Sequence, residues 1–126
     1  MPKVLYVEDD DPLREVLASE LRSAGLSVVE ERRASAALQS FAEHRPDLIL
    51  LDIGMPHGDI SGVDMLARLR EDDRWRGLPV IVLSGFGDVI NDDVMARLGV
   101  RAVLTKTDVT GAEVARQIEQ ILMSIR

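Results

Sequence analysis

No cysteine occurs anywhere in the chain, which excludes disulfide staples, thiolate zinc sites and thiol nucleophiles and fits a reducing compartment. Long apolar runs are missing too. None approaches the roughly 18 consecutive apolar residues of a membrane span, and the run after Met1-Pro2-Lys3 is too short for the apolar part of a secretory signal. Positive charge is scarce: 15 Lys and Arg stand against 22 Asp and Glu, a net charge of −7, and an acidic surface repels the phosphate backbone of nucleic acids. A Gly-rich loop ending in Gly-Lys-Ser/Thr is absent, which excludes a P-loop nucleotide site. The expectation is a soluble cytoplasmic domain with no membrane contact and no direct hold on nucleic acid.

What is present suits one core. The 126 residues are 46% hydrophobic and 29% charged, a globular composition of single-domain size. Short apolar runs recur at even intervals: Val4-Leu5-Tyr6-Val7, Leu26 with Val28-Val29, Leu48-Ile49-Leu50-Leu51, Val80-Ile81-Val82-Leu83 and Ala102-Val103-Leu104. Several lack alternation, the pattern of strands buried on both faces. Between them the spacing turns helical. Leu13, Val16, Leu17, Leu21 and Ala24 share one face, with Asp11 as N-cap, Pro12 at the first helical position and Gly25 past the end. A second helix uses Ala34, Ala37, Leu38, Phe41 and Ala42 and ends before Pro46; a third uses Val63, Leu66 and Leu69. A fourth is expected from about Asp88 to Leu98, stopped by Gly99. The last carries Val114, Ile118, Ile121, Leu122 and Ile125 behind a capping box of Thr110 and Glu113. Strand and helix alternate throughout, which predicts an α/β domain: a five-stranded parallel sheet with helices on both faces.

In open parallel sheets ligands bind beyond the carboxyl ends of the strands. There the first strand runs into Glu8-Asp9-Asp10-Asp11, the third into Asp52, the fourth into Ser84 and the fifth into Lys106. Taken singly, each has an ordinary explanation. Acids can begin a helix, Asp52 can serve a turn before Gly54 and Pro56, Ser84 can cap, and Lys106 can be a solvated loop lysine. Their convergence on one edge argues for a site. Crowded carboxylates raise one another's pKa unless a cation sits among them, and hard oxygen donors without histidine or thiolate suit Mg²⁺, or Mn²⁺ in its place.

The four motifs Val7-Glu8-Asp9, Leu50-Leu51-Asp52-Ile53-Gly54-Met55-Pro56, Val82-Leu83-Ser84-Gly85 and Leu104-Thr105-Lys106, in this order, resemble those of the receiver domain of two-component response regulators. The resemblance runs from Val4 to about Leu122. It implies the flavodoxin-like, chemotaxis-regulator fold with strand order 2-1-3-4-5 and a single receiver domain over residues 1–126 with no output domain. It also implies Asp52 as phospho-acceptor, Lys106 and Ser84 holding phosphoryl oxygens, and Mg²⁺ bound by Glu8, Asp9, Asp52 and the backbone carbonyl of Gly54. The implied donor is a histidine kinase or histidine phosphotransfer protein, and the readout is altered contact with a downstream protein, with phosphorylation-linked homodimerisation left open. On that reading the chain is a signalling switch, not an enzyme beyond its own aspartyl phosphorylation and dephosphorylation.

Departures from the family pattern support an alternative, a degenerate receiver acting as a phosphorylation-independent interaction module. Thr107 stands where the family usually has proline, and Val103 stands where many receivers carry an aromatic switch. The turn with His57 and Asp59 is longer than the usual family turn and is a candidate recognition loop; by the resemblance, Phe86 and Gly54 occupy places that in the family influence access of hydrolytic water. Trp75 reads either as a contact patch or as a lid on the core. Two other classes fit poorly: a flavodoxin-like carrier wants a Ser, Thr and Gly phosphate cradle after the first strand, and an Asp-x-Asp phosphatase wants an acid where Gly54 sits.

Overall fold

Runs of Val, Ile and Leu without polar alternation make strands that must be covered on both sides. The computed structural model describes residues 1–54, 60–85 and 87–125. Its elements are β1 (Lys3–Val7), α1 (Asp11–Ser23), β2 (Ser27–Glu31), α2 (Ala34–His44), β3 (Leu48–Asp52), α3 (Gly62–Glu71), β4 (Val80–Ser84), α4 (Asp92–Arg97), β5 (Val100–Thr105) and α5 (Gly111–Ile125). The strands form one parallel sheet in the order β2-β1-β3-β4-β5. Both β3 and β4 are buried along their whole length. At the sheet edge, β5 alternates between half-buried and exposed residues, so Val103 is 40% exposed and does not join the core.

Each face of the sheet carries its own apolar layer. Tyr6, Leu21, Leu50 and Ile118 lie under α1 and α5, while Leu5, Phe41, Leu66 and Met95 lie under α2, α3 and α4. Burying a side chain of this size contributes about 1.5–3 kcal/mol, which is how the layers fix the register of the strand ends. Trp75 is half-buried against Phe41, ring centroids 5.8 Å apart, so it is a lid on the core.

Several helix details differ from the sequence expectation. The N-cap of α1 is Asp10, whose side chain accepts from the Leu13 N–H; Asp11 lies inside the first turn. The buried face of α1 is Arg14, Leu17, Ala18 and Leu21, whereas Val16 is 58% exposed and Ala24 is exposed. α4 begins at Asp92 behind the N-cap Asn91, not at Asp88, because Asp88 spends its carboxylate on the Gly85 N–H. Gly99 ends it with φ +72°. The capping box holds: Thr110 Oγ1 accepts from the Glu113 N–H, and Glu113 Oε1 accepts from the Thr110 N–H. Ile125, 47% exposed, leaves the core stripe of α5. No cis peptide bond occurs among the described residues, the bond before Thr107 included. His57, Asp59 and the rest of the candidate recognition loop from 55 to 59, with Phe86, lie outside the described residues.

Candidate functional site

A parallel sheet delivers every strand's carboxyl end to one edge, and where β1 and β3 lie side by side the outgoing loops part to opposite faces and open a crevice. Register decides what enters it. Val7 pairs with Leu51, Asp52 with Leu83, and Ser84 with Thr105. Glu8 and Asp52 therefore leave neighbouring strands next to each other, and Lys106 follows the last residue of β5. One carboxylate oxygen from each of Glu8, Asp9 and Asp52 lies within 4.8 Å of the other two. Lys106 Nζ stands 2.8 Å from Glu8 Oε1 and 3.0 Å from Asp52 Oδ2. Three acids and one ammonium expected from the sequence thus share a pocket.

The surrounding backbone fits the same centre. The Gly54 N–H donates to Asp52 Oδ1 at 3.0 Å, which folds the outgoing loop tightly around the acid. Ser84 is buried at the end of β4, and its carbonyl accepts from the Lys106 N–H at 2.8 Å. Its hydroxyl makes no hydrogen bond to another described residue.

Glu8 is wholly shielded from water and Asp52 is 3% exposed. Burial first, then the hydrogen bond it shares with Asp52, pushes the Glu8 pKa up to about 8, with Lys106 offsetting part of the rise. For Lys106 burial works to lower the pKa, but the bonds to Glu8 and Asp52 outweigh it and the net shift is upward. One ammonium among three acids leaves negative charge in excess, and Glu8 Oε1, although ion-paired, accepts no well-formed hydrogen bond. An all-oxygen donor set of this charge fits Mg²⁺.

Two supporting residues escaped the sequence reading. The guanidinium of Arg14 is buried and donates to the Glu8 carbonyl at 2.9 Å and to Asp11 Oδ1 at 2.6 Å, tying α1 to the loop that carries the acids. Its only sequence signal is the acid three residues earlier. Asp88 reaches across from the loop after β4 and lies against Gly54.

Fold and site together define a CheY-like parallel α/β domain with an acidic pocket at its switch point. The model of the response regulator receiver domain family matches residues 4–119. The polar-differentiation response regulator DivK of Brucella anthropi is 33% identical over 107 residues, which cover 84% of this chain and 85% of that protein. The KDP operon transcriptional regulatory protein KdpE of Escherichia coli K12 is 40% identical over 84 residues, 67% of this chain but 35% of that longer protein. Among solved structures, a CheY-like response regulator receiver domain protein from Methanospirillum hungatei superimposes with a TM-score of 0.86 at 22% identity, covering 98% of this chain and 95% of that one, and so shares the fold. The chain belongs to the response regulator receiver domain family of two-component systems. Such domains are signalling switches that take phosphate from histidine kinases or phosphotransfer proteins. No helix among the described residues is long and apolar enough to cross a membrane.

Proposed function

We propose that Asp52 is the phospho-acceptor of this switch and that Glu8, Asp9, Asp52 and the Gly54 carbonyl hold Mg²⁺ beside it. The observation that carries the reading is the Lys106 ammonium 3.0 Å from Asp52 Oδ2, with Glu8 and Asp9 closing the acidic cluster around the same carboxylate. When bound, the cation supplies positive charge for the oxygens of the transferred group. An Asp52 oxygen attacks phosphorus, the bond from phosphorus to the donor's imidazole nitrogen breaks, and the imidazole takes up a proton. The product is an acyl phosphate on Asp52. Catalysis here is positioning and charge stabilisation. Lys106 exchanges its carboxylate partners for a phosphoryl oxygen, and Ser84, its hydroxyl uncommitted among the described residues, turns to another. That exchange moves the loops after β4 and β5 and changes the surface read by a downstream protein in the cytoplasm.

The test is incubation with Mg²⁺ and a small acyl phosphate, followed by intact-mass measurement. One phosphate should be added, and none to the Asp52→Asn variant. An unmodified wild-type chain overturns the reading and leaves a phosphorylation-independent interaction module.

A further inference from the structure

Among the described residues, two fully buried side-chain atoms accept or donate no well-formed hydrogen bond: the hydroxyl of Tyr6, and Oε1 of Glu8, which is held by the Lys106 ammonium at 2.8 Å. One can donate and the other can accept. They belong to residues two apart at the end of β1, and strand alternation puts both side chains on the same side of the sheet. Tyr6 sits in the core layer under α1 and α5, and Glu8 stands beyond it at the strand's carboxyl end. Their proximity shows in the phenol: burial first, then the Glu8 carboxylate, raises its pKa well above the ordinary value.

A buried hydroxyl without a partner is costly, so its presence in the core asks for a reason. Lys106 supplies one. In the resting arrangement its ammonium serves Glu8 and Asp52 together, yet the proposed reaction turns it to a phosphoryl oxygen. Glu8 Oε1 then loses its ammonium while cut off from water, and a buried polar atom left without a partner is costly. Tyr6 carries the hydroxyl placed to replace it. Room for the exchange exists, because Tyr6 and Lys106 both line a cavity of about 330 Å³ between α1 and α5.

Resting on the acceptor reading above, we propose that Tyr6 is a positioning residue: its hydroxyl donates to Glu8 Oε1 as Lys106 departs, holding that carboxylate oriented for the divalent cation. Tyr6 touches neither phosphate nor metal and acts only through Glu8.

Tyr6 is the sole tyrosine of the chain, so labelling tyrosine with ¹³C at Cζ gives one resonance that reports the state of this hydroxyl. Titration of the full chain with Mg²⁺ and then beryllium fluoride should move that resonance. At saturating Mg²⁺, Tyr6→Phe should bind beryllium fluoride about tenfold more weakly, the worth of one hydrogen bond to a charged group, while its urea midpoint is equal or higher because an unsatisfied group has gone. A wild type that binds both probes without movement of the resonance overturns the proposal, as does a Tyr6→Phe variant that, at saturating Mg²⁺, binds beryllium fluoride as tightly as wild type. A wild type that binds neither probe overturns the acceptor reading itself, and this inference with it.

Discussion

The carboxylate of Asp88 occupies the space that a side chain at position 54 would fill: a Cβ built on Gly54 would lie 2.5 Å from Asp88 Oδ1 and 2.7 Å from Oδ2. The same carboxylate accepts from the Gly85 N–H at 2.6 Å, so the loops after β3 and β4 are locked together through a missing methyl group. Gly54→Ala should force the carboxylate off Gly85 and cost about 1 kcal/mol, the worth of one charge-assisted hydrogen bond at a part-exposed position. In an Asp88→Ala background the same substitution should cost almost nothing. Urea unfolding of the two single variants and the double variant measures this coupling, and additive effects would show that the two loops are independent.

Glu8 gives the metal-free protein a distinctive pH dependence. Its carboxyl keeps a proton in the folded state up to about pH 8, against an ordinary value of 4.5 in the unfolded chain. Between those values the folded state binds more protons than the unfolded, so its contribution to stability is complete below the lower value and is lost as pH rises through the upper one. The melting temperature without Mg²⁺ should fall across this window, and Glu8→Gln should flatten the slope. Bound cation favours the ionised carboxyl, so Mg²⁺ binding at neutral pH should release a proton, read calorimetrically as a heat that varies with the ionisation enthalpy of the buffer.

The parallel sheet was legible in the sequence because β3 and β4 are apolar from end to end, and the site because acids and a lysine sit where such strands stop. The face of α1 was harder to read. Arg14 counts as polar by type, yet its guanidinium is buried against the Glu8 carbonyl, Asp11 and Glu30, and only tertiary partners make that placement tolerable. The helix stripe therefore rotates, leaving Val16 in solvent. Tyr6 was read as one more apolar strand residue, since nothing local reveals a hydroxyl beside a buried acid. The contact of Asp88 with Gly54 joins two distant stretches of chain and has no local signature.

Lys106 is the one ammonium shared by Glu8 and Asp52, and its removal is predicted to act unequally with pH. Lys106→Met leaves two carboxylates facing each other in a buried pocket, and breaking such a pair from one side is strongly destabilising. Below the Glu8 titration a proton already neutralises one partner, so the variant should lose about 2 kcal/mol at about pH 9 and distinctly less at about pH 6, a figure reduced because the lysine is partly exposed. Adding Asp52→Asn should recover most of the loss at high pH. Thermal or urea unfolding at the two pH values checks both statements; an equal loss at each would mean that the lysine acts through packing alone.

Three consecutive acids follow Glu8, and the geometry gives each a different task. Asp9 joins the cation cluster. Asp10 accepts from the Leu13 N–H at 3.1 Å with extended backbone angles, φ −77° and ψ 103°, which makes it the cap of α1. Asp11 pairs with Arg14 Nη1 at 2.6 Å and with Arg32 Nε at 3.0 Å. Since any of the three could cap by chemistry alone, the backbone angles decide. Asp10→Ala should cost about 1 kcal/mol of stability, the usual loss of an N-cap, and leave Mg²⁺ affinity near that of wild type. Asp10→Ser should restore the stability, because serine caps as well. Asp9→Asn should do the opposite, lowering Mg²⁺ affinity severalfold with little change in the urea midpoint without metal. If Asp10→Ala instead weakens Mg²⁺ binding and spares stability, the division of labour along this loop is wrong by one residue, the same margin by which the acids compete for the cap.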